Sequence, residues 1–187
     1  GEGGMVVTNN KRWYERLMVL RTHGIVKLPE SQPWYYEMRE LGYNYRLTDL
    51  QCALGLEQLK RAEKFLRRRR RLAMRYHRLL TGKPNLILPQ ADNNSAWHLY
   101  PLRIDFRAAR KTKEQLFEFM NRKGINLQVH YIPIHLQPYY REQFGYKQGD
   151  FPIAERVYEQ EVSLPLYPTL TYKQQDRVIE LINQFTG

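Results

Sequence analysis

The chain is poor in the residues that mark several common chemistries. Of 187 residues only Cys52 is a cysteine, so neither an intrachain disulfide nor a cysteine-rich metal site can form. Lying in a helical pattern without a partner, Cys52 reads as a buried small hydrophobe. There is no run of eighteen or more apolar residues and no charged-then-apolar leader, which argues against a membrane span or secretory signal. The expectation is a soluble, cytoplasmic protein. The sequence has no G-x-S-x-G elbow, no P-loop, no G-x-G-x-x-G between strand and helix, and no H-E-x-x-H. Acidic residues are also few, nineteen against thirty Lys and Arg, for a net charge of +11. Such a surplus concerns partners rather than fold. Nucleic acid, an acidic partner chain and a phosphate-bearing small molecule all fit it, and charge does not choose among them.

The length suits one domain plus a remnant of another. Gly1-Glu2-Gly3-Gly4 followed by Met5-Val6-Val7-Thr8 and the turn pair Asn9-Asn10 reads as a glycine-rich loop feeding one strand. A lone strand cannot satisfy its own backbone groups, so the beginning reads as cut. From Lys11 to Arg21, Trp13, Leu17, Met18 and Leu20 keep helical spacing, and His23-Gly24 closes the element. Residues 25–41, with Pro29 and Pro33, read as an ordered loop.

Thr48 with Gln51 forms a capping-box pattern, and Asp49 suits the positive end of the helix that follows. Leu50, Ala53, Leu54, Leu59, Ala62, Phe65, Leu66, Ala73, Tyr76 and Leu80 make an i, i+3, i+4 stripe that stops at Gly82 and Pro84. Such a helix from Asp49 to Leu80 spans roughly 48 Å at about 1.5 Å per residue, longer than a small domain needs, so it links two bodies or lies across a subunit boundary. Further on, residues 96–105 read as a strand that Pro101 demotes to an edge or bulge. Thr112 with Gln115 opens a helix, and Ile125 to Ile132 alternates as a strand. A helix over Ile153 to Gln160, an extended Ser163 to Pro168 and a last helix opened by Thr171 complete the chain. The expected fold is a small α/β domain hung on a long helix.

Three places could carry chemistry. In the loop Gly42-Tyr43-Asn44-Tyr45-Arg46, at the head of the long helix, the Asn44 amide and Arg46 fork could meet a phosphate; the bland alternative is a packed aromatic loop with Arg46 in a surface ion pair. The segment His130-Tyr131-Ile132-Pro133-Ile134-His135 has no Cys, Asp or Glu to complete a metal set. It suits a ligand rich in hydroxyl and phosphoryl oxygens, or serves only as loop structure. Arg67 to Arg71 with Lys60, Arg61, Lys64, Arg75 and Arg78 could form an arginine-rich nucleic-acid segment. Against that, the apolar stripe continues on both sides, as in a basic helix packed on a neighbour.

Taken together, five strings resemble the DegT/StrS family of sugar-nucleotide aminotransferases: Gly1 to Asn9, Leu20 to Gly24, Gly42 to Gln51, His130 to Pro133 and Ser163 to Pro168. They occur in family order along the whole chain. The resemblance implies the α+β C-terminal small domain of a fold-type I aminotransferase (83–187), a long linking helix (48–82) and a remnant of the large cofactor-binding domain (1–47). Residues 34–61 most resemble the branch that aminates C4 of a UDP-linked 4-keto-6-deoxy-N-acetylhexosamine, the UDP-4-amino-4,6-dideoxy-N-acetyl-β-L-altrosamine transaminases of pseudaminic acid synthesis. In such enzymes a lysine holds pyridoxal phosphate as a Schiff base, and an amino group passes from glutamate to the keto sugar. The family lysine precedes the Gly-Glu-Gly-Gly motif, so this chain is expected to be inactive alone and to need a homodimer or an N-terminal half.

By the same resemblance Asn44 and Arg46 match the residues at the cofactor phosphate of a neighbouring subunit, and Tyr43, His130, Tyr131 and His135 fall on the side of the sugar nucleotide. The alternatives are a non-catalytic dimerisation or regulatory module and, third, the nucleic-acid binder.

Overall fold

The computed structural model describes residues 3–187; Gly1 and Glu2, half of the expected glycine-rich loop, lie outside the described residues. The chain divides into two compact units, Gly1–Arg61 and Ala62–Gly187.

In unit 1, Met5 to Thr8 is exposed and unpaired rather than a strand: β-branched composition supplies extended propensity, but strand identity needs a neighbour to accept the hydrogen bonds. Helix α1 (Lys11–Leu20) starts where the Asn10 side chain accepts from the Trp13 N–H at 3.2 Å. Two short strands, β1 (Ile25–Val26) and β2 (Glu37–Met38), pair antiparallel inside the segment expected to be loop. Helix α2 (Asp49–Leu80) has the expected length of 32 residues and the expected start, with the Thr48 N–H donating to Gln51 Oε1 at 2.9 Å. Its residues through Arg61 group with unit 1 and the rest with unit 2. Cys52 is exposed, contrary to the expected burial, because the stripe on this part of α2 has no covering element within the unit.

In unit 2 a three-stranded antiparallel sheet has the order β3 (Leu86–Ile87), β4 (Tyr100–Ile104), β5 (Glu161–Leu164). Strand β4 is central, whereas Pro101 had suggested an edge. The register explains the tolerance. Pro101 lies opposite Ser163, whose N–H donates instead to Gln128 O at 2.7 Å on β5's other side, so the 101/163 pair exchanges no ladder bonds. The missing proline N–H therefore faces the β3 side, where the two-residue strand pairs only with Arg103 and Ile104. Helices α3 (Lys113–Arg122) and α6 (Tyr172–Thr186) open on the two expected capping boxes, Thr112 with Gln115 and Thr171 with Gln174. Between them lie a 3-10 turn (Ile134–Leu136), α4 (Pro138–Phe144) and α5 (Pro152–Gln160). The expected strand over 125–132 is reduced to one bridge, Gln128 to Ser163.

The core is assembled from Leu72, Ala73, Tyr76 and Leu80 of α2, Tyr100, Leu102 and Ile104 of β4, Leu116 and Met120 of α3, and Val178, Leu181 and Ile182 of α6. Each fully buried Leu, Ile or Met there contributes about 1.5–3 kcal/mol. Burial pushes the Tyr76 and Tyr100 phenols well above their ordinary range. The Tyr76 hydroxyl donates to Pro165 O at 3.0 Å, which ties α2 to the end of β5's strand run. The architecture is mixed α/β, as expected.

Candidate active-site elements

In unit 1 the loop carrying Tyr43, Asn44 and Arg46 is pinned to the end of α1. Thr22 and Asn44 form an antiparallel bridge. The His23 N–H donates to Tyr43 O at 2.8 Å, Tyr43 N–H to Leu20 O at 2.7 Å and Tyr45 N–H to Arg21 O at 2.9 Å. Two glycines permit this approach. A Cβ on Gly24, whose φ is +70°, would lie 1.8 Å from Glu40 O, and one on Gly42 would lie 2.1 Å from Gly24 N.

On this platform Arg46 Nε donates to Asn44 Oδ1 at 3.0 Å, and an Arg46 terminal nitrogen lies 3.4 Å from His23 Nε2. The Tyr43 and Tyr45 rings stack at 4.7 Å. Asn44 and Arg46 are exposed. Because the Asn44 oxygen is used by Arg46, its two amide N–H donors and the unengaged N–H groups of the exposed Arg46 guanidinium have no hydrogen-bond partner among the described residues. That is a cationic, donor-only set suited to an anion. In the sequence His23 reads only as a helix terminus; its place in Leu20 to Gly24, one of the five strings, is the available signal.

In unit 2 His130 and Tyr131 lie side by side, and His135 sits in a separate network. The His130 N–H donates to Glu161 Oε2 at 3.0 Å, and His130 Nδ1 lies 2.8 Å from Ser163 Oγ. Ser163 Oγ in turn donates to Glu161 Oε1 at 2.6 Å. Glu161 and Ser163 are buried on β5, with 3% and 5% exposure, and neither was singled out as a functional residue from sequence. The His130–Tyr131 peptide is cis, and the Tyr131 ring is 75% exposed.

His135 is 7% exposed, and its Nε2 lies 2.8 Å from Glu155 Oε1. Glu155 also accepts from the Gly149 N–H at 2.8 and 3.0 Å and from the Phe151 N–H at 3.4 Å, so the pair gathers the loop between α4 and α5. The hydrogen bond from His135, followed by those backbone donors, holds the Glu155 carboxyl below its usual range. Two surface grooves, about 600 Å³ along Pro89–Pro101 and about 430 Å³ beside Gln115–Lys123, take in none of the six expected site residues.

The arginine run has a local explanation. Arg68 donates to Leu170 O, Arg69 to His98 O at 3.0 Å and Leu166 O at 2.8 Å, and Arg70 to Ser95 O at 3.0 Å and Asn94 O at 3.1 Å. Three guanidinium groups are thus spent on main-chain carbonyls of the loops beside α2, where burial lowers the Arg69 pKa. Arg67 and Arg71 remain exposed.

A family model describing DegT/DnrJ/EryC1/StrS aminotransferases matches residues 1–183. The chain belongs to that family. Similar proteins include an uncharacterised protein of Methanocaldococcus jannaschii, 43% identical over 98% of this chain and 48% of its own length. The spore coat polysaccharide biosynthesis protein SpsC of Bacillus subtilis is 40% identical over 97% of this chain and 49% of its own length. Among solved structures, Helicobacter pylori PseC, an aminotransferase involved in pseudaminic acid biosynthesis, superposes with a TM-score of 0.86 at 29% identity, over 96% of this chain and 47% of that one. The chain spans about half the length of the curated relatives it matches.

DegT/DnrJ/EryC1/StrS aminotransferases depend on pyridoxal phosphate. The residues of unit 1 fit its phosphate end, since Asn44 and Arg46 offer donors with no carboxylate hydrogen-bonded to them. Among the described residues no group of three or more His, Cys, Asp or Glu could hold a metal ion, and no helix is long and apolar enough to cross a membrane.

Proposed function

We propose that this chain is the C-terminal portion of a pyridoxal-phosphate-dependent sugar aminotransferase that moves an amino group from glutamate to C4 of a UDP-linked 4-keto-6-deoxy sugar. In this reading residues 1–47 belong to the cofactor-binding domain, 48–82 form the linking helix and 83–187 the small domain. The observation that carries it is the exposed donor set of Asn44 and Arg46, pinned by the Thr22 bridge at the head of α2, within a family match covering 1–183. Asn44 and Arg46 hold the cofactor phosphate; the bound cofactor supplies the electron sink for amino transfer. Tyr43, His130 and Tyr131 serve the sugar nucleotide, and His135 serves it through the Gly149–Phe151 loop that its Glu155 partner gathers.

PseC's part in pseudaminic acid synthesis and SpsC's in polysaccharide synthesis support a sugar substrate, and the proposal extends this to a nucleotide-linked sugar and a cytoplasmic, homodimeric enzyme. No lysine of this chain is assigned the Schiff-base role, so turnover belongs to the parent enzyme, with the missing lysine supplied by the remainder. Incubation with pyridoxal phosphate and borohydride reduction tests this: the chain alone is expected to give no unique lysine adduct and no turnover. A unique adduct with turnover would overturn the assignment. In an assembled enzyme, Asn44→Ala is expected to weaken cofactor affinity by about tenfold.

The exposed apolar side chains of unit 1, among them Leu50 at 84% and Leu59 at 71%, favour one second reading, a non-catalytic dimerisation module. Heterodimer formation with a full-length homologue, without activity, would select it. The nucleic-acid reading loses its motivation once Arg68 to Arg70 are engaged with carbonyls.

A further inference from the structure

His130, Ser163 and Glu161 form a chain of hydrogen bonds whose direction can be deduced. As a carboxylate, Glu161 only accepts, and both its oxygens are in use: Oε2 from the His130 N–H at 3.0 Å, Oε1 from Ser163 Oγ at 2.6 Å. Nearby, Lys113 feels the charge of Glu161 and is held by Tyr158 O and the Tyr158 ring. Ser163 has one hydroxyl proton, and it goes to Glu161. Its oxygen must then accept from His130 Nδ1, 2.8 Å away. The other ring nitrogen, Nε2, has no hydrogen-bond partner among the described residues and is not a buried unsatisfied atom.

We propose that Glu161 and Ser163 are positioning residues that hold His130 with its proton on Nδ1, so that in the neutral ring Nε2 is a lone acceptor for a ligand hydroxyl. The opposite orientation requires a protonated Glu161 donating to Ser163, which would place the His130 proton on Nε2 and make the ring a donor there. Tertiary structure creates the arrangement: the single bridge between Gln128 and Ser163 draws the His130 segment alongside β5. Glu161 and Ser163, two residues apart on that strand, then present their side chains on one face. The identity of the ligand rests on the proposed sugar-nucleotide function; the tautomer does not.

The test is nitrogen-15 NMR of the histidine rings in the 187-residue chain, at alkaline pH where imidazole rings are neutral. His130→Phe assigns the signals. The wild-type ring is expected to show a protonated Nδ1 and an unprotonated Nε2. Ser163→Ala should reduce that preference by about tenfold, with the other four histidines unmoved. Glu161→Gln, which keeps the shape of the side chain, should reduce it in the same direction and stands in if Ser163→Ala does not fold. A neutral wild-type ring protonated on Nε2 overturns the proposal, as does an unchanged tautomer in a folded Ser163→Ala chain.

Addition of UDP-N-acetylglucosamine separates the two inferences. A shift at Nε2 alone supports the ligand reading. A locked tautomer with no response to the nucleotide sugar retains the positioning pair and rejects that ligand for His130.

Discussion

Every buried apolar side chain of the described residues belongs to unit 2, whereas Gly24 is the one buried residue among residues 3–61. Unit 1 nevertheless has a defined backbone: a capped helix, a strand pair, two close-approaching glycines and the Arg16–Glu40 pair at 2.7 Å. Trp13, Trp34, Leu50 and Leu54 all face solvent. Local hydrogen bonding specifies the shape of a segment without supplying much free energy, because each bond formed replaces one to water. Burial supplies the free energy, and here unit 2 has nearly all of it. Unit 1 therefore reads as a surface shaped for another body, as the proposed cofactor-phosphate loop would require.

The comparison breaks most readily at the core. Leu102→Ala, at a fully buried position of β4, is expected to destabilise unit 2 by about 2–5 kcal/mol. Urea unfolding followed by tryptophan fluorescence, with Trp97 the buried reporter among the three tryptophans, measures it, and a loss under about 1 kcal/mol would show that the core is not where stability resides.

The arginine run sharpens it next. Arg69→Met strips donors from three main-chain carbonyls, those of Trp97, His98 and Leu166, and should cost about 1–3 kcal/mol. Arg67→Met and Arg71→Met, both at exposed positions, should stay within about 0.5 kcal/mol. Equal losses for all three would mean that the run acts only through net charge.

A smaller effect concerns acid. Since the carboxyl of Glu155 is held below its ordinary range by His135, its contribution is fully present above the ordinary carboxylate range and is lost as pH falls through the depressed value. Glu155→Gln should therefore flatten the acid side of unit 2's stability profile, measured as the urea midpoint against pH. An unchanged acid slope would remove the His135–Glu155 pair as its source.

The smallest effect is expected in unit 1. In the isolated chain Leu54→Ser should change stability by no more than about 0.5 kcal/mol, while weakening assembly with a full-length homologue in sedimentation. A large stability loss would mean that this face of α2 is already covered.

Much of the fold was legible where information is local. Capping boxes at Thr48, Thr112 and Thr171 marked three helix starts, since a cap needs only a side chain and the backbone three residues on. Pro101 misled because its effect depends on which neighbour its missing N–H faces, a matter of register and strand length. Residues 125–132 misled because alternation reports burial on one face, while a strand also needs a partner along its length. Of the site, Asn44 and Arg46 were readable two residues apart in one loop, and the structure adds their mutual hydrogen bond. Glu161 and Ser163 were not: Glu161 lies 31 residues from His130 and Ser163 lies 33, and nothing in their own strand marks either as polar machinery.

By itself, then, the sequence determined the helix starts at Thr48, Thr112 and Thr171, the family, and the loop with an asparagine and an arginine ahead of α2, because these depend on neighbours a few residues apart. Tertiary structure alone decided which apolar stripe is buried, which arginines are consumed by carbonyls, and which nitrogen of His130 is left for a ligand. Those outcomes turn on burial and on hydrogen-bond partners brought together from distant segments, and proximity of that kind is a property of the folded chain.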